Sequence, residues 1–126
     1  MKIIRILIVC ALVAGAAAAG RAEQNQTWTG SLVDASCYLT DNAQTSNAHM
    51  GMDKCGAECL RMGKPAGLVT ADKKFFVLLA PSPDLAQYVG QTISVTGKLR
   101  NGSILVDKLE VKKGTSWITA KVSTMM

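Results

Sequence analysis

The clearest alternation in the chain runs from Thr92 to Leu99, where Ile93, Val95, Gly97 and Leu99 take turns with Thr92, Ser94, Thr96 and Lys98. Period two sustained this long marks a strand with one buried face. Asn101-Gly102 follows, the dipeptide best suited to the two left-handed positions of a tight hairpin turn, and Ile104 to Val111 supplies the returning strand. Lys112-Lys113-Gly114 ends that strand, and Trp117, Ile118 and Val122 offer a short further pairing segment before the tail. Upstream, Trp28, Gly30, Leu32 and Val33 predict a first strand running to about Asp34. Gly67 to Thr70 and Lys74 to Ala80 predict a hairpin turning at Ala71-Asp72-Lys73, and the wholly apolar stretch of its second strand predicts burial.

Ala35 to Asn47 is polar and small, which predicts a long loop of the kind that is functional or disordered in compact domains. Met52 to Met62 predicts a short helix with Asp53 as N-cap, Cys55, Cys59 and Met62 on one face, and Gly63 as the stop. Pro81-Ser82-Pro83-Asp84 breaks the third strand, and Ser82 or Asp84 is placed to cap a helical turn through Leu85, Ala86 and Tyr88 that ends at Gly90. The chain is therefore expected to be mainly β: a small five-stranded OB-like Greek-key barrel. A short cysteine-bearing helix follows strand one, and another lies between strands three and four. Gly97 within strand four fits a tightly coiled barrel strand, whereas an immunoglobulin-like sandwich needs about seven strands.

The first residues change the chemistry of all this. Lys2 and Arg5 precede an uncharged apolar run from Ile6 to Ala19 that decays into small residues, the pattern of a cleavable export signal over residues 1–22. A membrane span needs roughly 20 predominantly apolar residues, so removal is expected and stable membrane insertion is not. The expected layout is then a polar lead-in over 23–26, the barrel domain over 27–113 and a C-terminal extension over 114–126. Loss of Lys2, Arg5 and Arg21 lowers the basic count from 14 to 11 against 9 acidic residues, so the net charge falls from +5 to +2. Nothing in that charge argues for a nucleic-acid partner.

Export also discards Cys10 and leaves Cys37, Cys55 and Cys59 in a periplasmic or extracellular, oxidising space, with His49 the only histidine of the chain. Three thiols cannot all pair within one chain. One reading is a disulfide from Cys37 to Cys55 or Cys59, closing a loop of about 20 residues worth roughly 3 kcal/mol, with the odd thiol free for an intermolecular bridge. Another gathers Cys37, His49, Cys55 and Cys59 as a Cys₃His zinc set, although the spacing C-x₁₁-H-x₅-C-x₃-C matches no familiar finger. Thiolates joined by Met50, Met52 or Met62 would instead suit cuprous copper. Thiol redox chemistry is a further option, with C-x-x-x-C in place of the usual C-x-x-C.

Trp28-Thr29-Gly30, the Asp34-x-x-Cys37 step, His49, Cys55-x-x-x-Cys59 with Gly63-Lys64, the Lys74-to-Leu79 strand and Gly90-x-x-Ile93-x-Val95-x-Gly97 occur here in one order. In that order they resemble a family of small exported bacterial proteins of the DUF5818 type. The similarity runs from about Thr27 to Val111. It implies an OB-like fold and a recurrent unit of Cys37, His49, Cys55 and Cys59, but no assigned activity.

No nucleophile elbow, phosphate loop or dinucleotide fingerprint is present. The expectation is accordingly an exported binding or structural domain rather than an enzyme, its cysteines forming one structural disulfide. Zinc, copper or redox chemistry is the alternative.

Overall fold

The computed structural model describes residues 24–123. The expected signal, Cys10 and the last three residues lie outside that range. Six strands form one sheet: β1 (Gln26–Asp34), β2 (Ala66–Thr70), β3 (Phe75–Leu79), β4 (Thr92–Arg100), β5 (Ser103–Lys113) and β6 (Ser116–Thr119). Three short helices interrupt them: α1 (Ala35–Thr40), α2 (Cys55–Arg61) and α3 (Ser82–Leu85), the last running into a 3₁₀ turn at Ala86–Tyr88. The protein is thus mainly β.

β1 pairs antiparallel with both β2 and β4, and β2 pairs antiparallel with β3. β4 and β5 form the long hairpin predicted from the alternation, with Asn101 at φ 48° and Gly102 at φ 78° in its turn. β5 is long enough for two neighbours to share its other edge. Ser103 to Leu105 lie parallel to Val77 to Leu79 of β3, and Glu110 to Lys113 pair antiparallel with β6. The register of the hairpin shifts between Thr96 and Gly97. A Cβ at Gly97 would lie 2.0 Å from the Leu105 carbonyl oxygen, so the bulge admits no side chain there.

The core is built from the inward positions of this sheet, Leu32, Leu68, Ile93, Val95, Ile104, Leu109 and Val111, closed over by Leu60 of α2 and Leu85 of α3. A smaller cluster of Val33, Val69 and Tyr38, with Phe75 against it, occupies the opposite side of β1 and β2. That division corrects the expectation for β3, in which Leu78 alone is fully buried and Leu79 is exposed. Phe75 stacks on Tyr38 at 5.2 Å, whereas Phe76 meets Trp28 of the main core at 6.0 Å. The strand serves two half-buried faces instead of one closed interior.

Other expectations shift for local reasons. Residues 35–40 form helix where a loop was expected, because Asp34 caps them: its Oδ1 accepts from the backbone N–H of Ser36 at 2.8 Å and of Cys37 at 3.4 Å. α2 starts at Cys55, and Asp53 does not cap it; no side chain at the adjoining position does either. Asn47 does so from ten residues away: its Oδ1 accepts from Ala57 N–H at 2.8 Å and its carbonyl from Gly56 N–H at 3.1 Å. Neither Ser82 nor Asp84 caps α3; the carboxylate of Asp84 instead accepts from Ser123 N–H at 2.7 Å, tying the C-terminal segment to the domain. The short pairing segment expected at Trp117 and Ile118 forms, and it adds a sixth strand, β6, to the sheet.

Candidate metal centre

The site begins where β1 ends. Alternation along β1 puts Leu32 into the main core and Val33 into the smaller cluster, so Asp34 returns to the Leu32 side at the strand terminus, where it is 1% exposed. A carboxylate buried that deeply needs partners. Oδ1 has two, the capped N–H groups of α1, whereas Oδ2 meets no N–H or O–H donor and has only the weak S–H donors of Cys37 and Cys59 beside it. A buried polar atom left without a strong donor costs about 1–3 kcal/mol, so its persistence calls for a reason.

Two sulfurs lie beside it. α1 is fixed to the sheet by Tyr38 in the smaller cluster, which holds Cys37 one residue earlier at the edge of the site. α2 is fixed to the main core by Ala57 and Leu60, which holds Cys59 between them. A carboxylate oxygen of Asp34 and the Sγ atoms of Cys37 and Cys59 all lie within 4.8 Å of one another. Within that limit the three atoms are close enough for a single ion to reach all of them.

The electrostatics of the three groups are dominated by burial and by their mutual proximity. Burial pushes the Cys37 thiol up to about 11, helped by hydrogen bonding and charge from Asp34 and by the nearby Cys55; a hydrogen bond from Cys59 opposes this. Burial likewise pushes Cys59 up to about 12, with Asp34 again the next contributor and both other cysteines adding to it. Negative charge accumulating at these three groups is therefore penalised, and a cation among them would reverse the penalty.

Of the residues expected from sequence, Cys37 and Cys59 are brought together, while Cys55 and His49 are not within the mutual 4.8 Å group. The anticipated Cys₃His sphere is accordingly not assembled: α1 and α2 direct Cys37 and Cys59 toward Asp34, and His49 rides on a separate turn. Cys55 is buried at the start of α2 and close enough for its charge to act on both sulfurs. His49 is also buried, with both ring nitrogens unpartnered. Met50, Met52 and Met62 are exposed on the surface. No disulfide is formed among the described residues.

Asp34 is the member of the cluster that residue-type reasoning missed. Its signal was available in the Asp-x-x-Cys step at the end of a strand, where an N-cap carboxylate and a thiol in the first helical turn necessarily approach one another. Compared with protein-family models, curated proteins and solved structures, the chain matches none.

Proposed function

We propose that this protein is an exported OB-like binding module that holds one zinc-class divalent cation at Asp34, Cys37 and Cys59. The carrying observation is the buried Oδ2 of Asp34, without an N–H or O–H donor, beside two sulfurs. A cation accounts for all three groups at once, whereas a disulfide would use the sulfurs and leave the carboxylate buried without a partner. The mixed oxygen and sulfur donors favour zinc over cuprous copper, which prefers thiolate and thioether. The raised thiols argue against redox catalysis, which needs a low-pKa thiolate. The neighbour order β1, β2, β3, β5, β4 and back to β1 supports reading the sheet as an OB-like barrel, and the apolar run over residues 6–19 supports export.

A second reading rests on the same closeness of Cys37 and Cys59: a structural disulfide between these two, with Cys55 left as the buried odd thiol. Elemental analysis and thiol counting on the mature protein separate the two. One equivalent of zinc with three titratable thiols supports the metal centre, and one thiol without metal replaces it by the disulfide. Asp34→Asn keeps an oxygen to cap α1 but removes the anionic ligand, so it is expected to fold and to bind zinc about a hundredfold more weakly.

A further inference from the structure

We infer that His49 is the fourth ligand of this centre, swung onto the ion from its seat against α2. Such ligation rests on the metal reading above and adds to it a closed, four-coordinate site. Three protein ligands leave one position of a tetrahedral zinc ion open, and structural sites fill it. The candidates beside the cluster are the thiol of Cys55 and the imidazole of His49.

His49 is 7% exposed, and both Nδ1 and Nε2 lack hydrogen-bond partners. Its Nε2 lies 3.4 Å from the place a Cβ would take at Gly56, so the ring rests on the bare backbone of α2 where any side chain would intrude. Gly56 stands three residues before Cys59, which makes them neighbours along the helix surface. The ring is thus parked one helical turn from the metal-facing sulfur.

The segment carrying it is held on both sides. Asn47 fastens one side to the first turn of α2 through Gly56 and Ala57. On the other side His49 and Met52 exchange backbone hydrogen bonds across a two-residue turn, with Met50 at φ 54° and Gly51 at φ 76°. A bulky exposed residue held left-handed is uncommon and marks a turn whose geometry is imposed by something other than its own preference. Ligation requires this turn to rotate about the Asn47 anchor and bring the imidazole the remaining distance along α2 to Cys59.

Charge selects His49 over Cys55. Two thiolates and a carboxylate already leave a divalent ion with a net charge of −1, and a third thiolate would raise the burden in a partly buried site. Neutral imidazole completes the sphere with no added charge. On binding, the two thiols release their protons to solvent, the ion accepts two sulfur lone pairs, one carboxylate lone pair and one imidazole lone pair, and no electrons are transferred.

The histidine is single, which makes the test direct. Imidazole nitrogen resonances of the reduced mature protein are followed as zinc is added, with cobalt(II) as an optical probe of coordination. One ring nitrogen is expected to shift strongly at one equivalent, and His49→Gln to weaken cobalt binding roughly ten- to a hundredfold with an altered ligand-field spectrum. Cys55→Ser should change neither. Wild-type protein that binds zinc with unmoved imidazole resonances overturns the role of His49 while the Asp34–Cys37–Cys59 site stands. A spectrum altered by Cys55→Ser instead assigns the fourth position to that thiol. Failure of the wild type to bind either metal removes the site itself, and the role of His49 with it. The nitrogen shift is read on wild-type protein, so the result does not depend on a variant that folds.

Discussion

The β4–β5 hairpin and the excursion from Ala35 to Met62 are built on opposite terms. In the hairpin every local preference agrees: alternating side chains, an Asn-Gly turn with both residues at positive φ, and a glycine where the strands approach too closely for a Cβ. In the excursion the helices are short, one is capped from ten residues away, and buried Asp34 and His49 carry polar atoms with no N–H or O–H partner. A region in which local and global preferences coincide is a scaffold. A region that keeps buried polar groups unsatisfied is where a ligand is expected.

Breaking the scaffold should have the largest effect. Gly97→Val places atoms against the Leu105 carbonyl at a separation no real Cβ contact shows, and neither backbone can yield without losing the β4–β5 register. Loss of cooperative thermal unfolding by circular dichroism is the expected outcome, a destabilisation of more than about 4 kcal/mol. A normal melt would mean that the bulge relaxes freely and that the hairpin is not the rigid half of the comparison.

A cut in the excursion should be milder and dependent on metal. Asn47→Ala removes the oxygen that accepts from Ala57 N–H, with an expected cost of about 1–2 kcal/mol by urea denaturation in the absence of zinc. Added zinc should recover much of that loss, since an ion held at the proposed site between β1, α1 and α2 would stabilise the folded state by mass action. Equal losses with and without zinc would separate Asn47 from the site.

Alkaline pH should give the gentlest effect, confined to the reduced, metal-free protein. The folded thiols of Cys37 and Cys59 sit at about 11 and about 12, above the ordinary value of 9.0. Unfolded chain releases these protons first, so stability is full below about pH 9 and falls as pH rises through 9 toward 11 and 12. Urea midpoints measured across that window should decline in the wild type and stay flatter in the Cys37→Ser, Cys59→Ser double variant. A midpoint that rises with pH would mean that the folded protein favours thiolates, the reverse of what burial beside Asp34 imposes.

Local signals in the chain were enough for the strands and their turns, because period-two patterning, Asn-Gly and a strand glycine each act over a few residues and the sheet reinforces them. Residue counting also marked Cys37 and Cys59 as chemically interesting, since three thiols in a chain expected to be exported cannot all pair. Which groups meet was decided only in three dimensions. Asp34 became part of the site because β1 ends with that side chain turned inward and α1 begins on it, a consequence of strand phase and capping together. Asn47 became a helix cap because the chain from Asp41 to Lys54 folds back over α2, and no rule of sequence spacing relates residues ten apart across a loop. β3 divided its two phenylalanines between separate clusters because the sheet has apolar cover on both sides at that edge. Periodicity records which face of an element is apolar. Only tertiary packing settles what that face, or a buried carboxylate beside it, will meet.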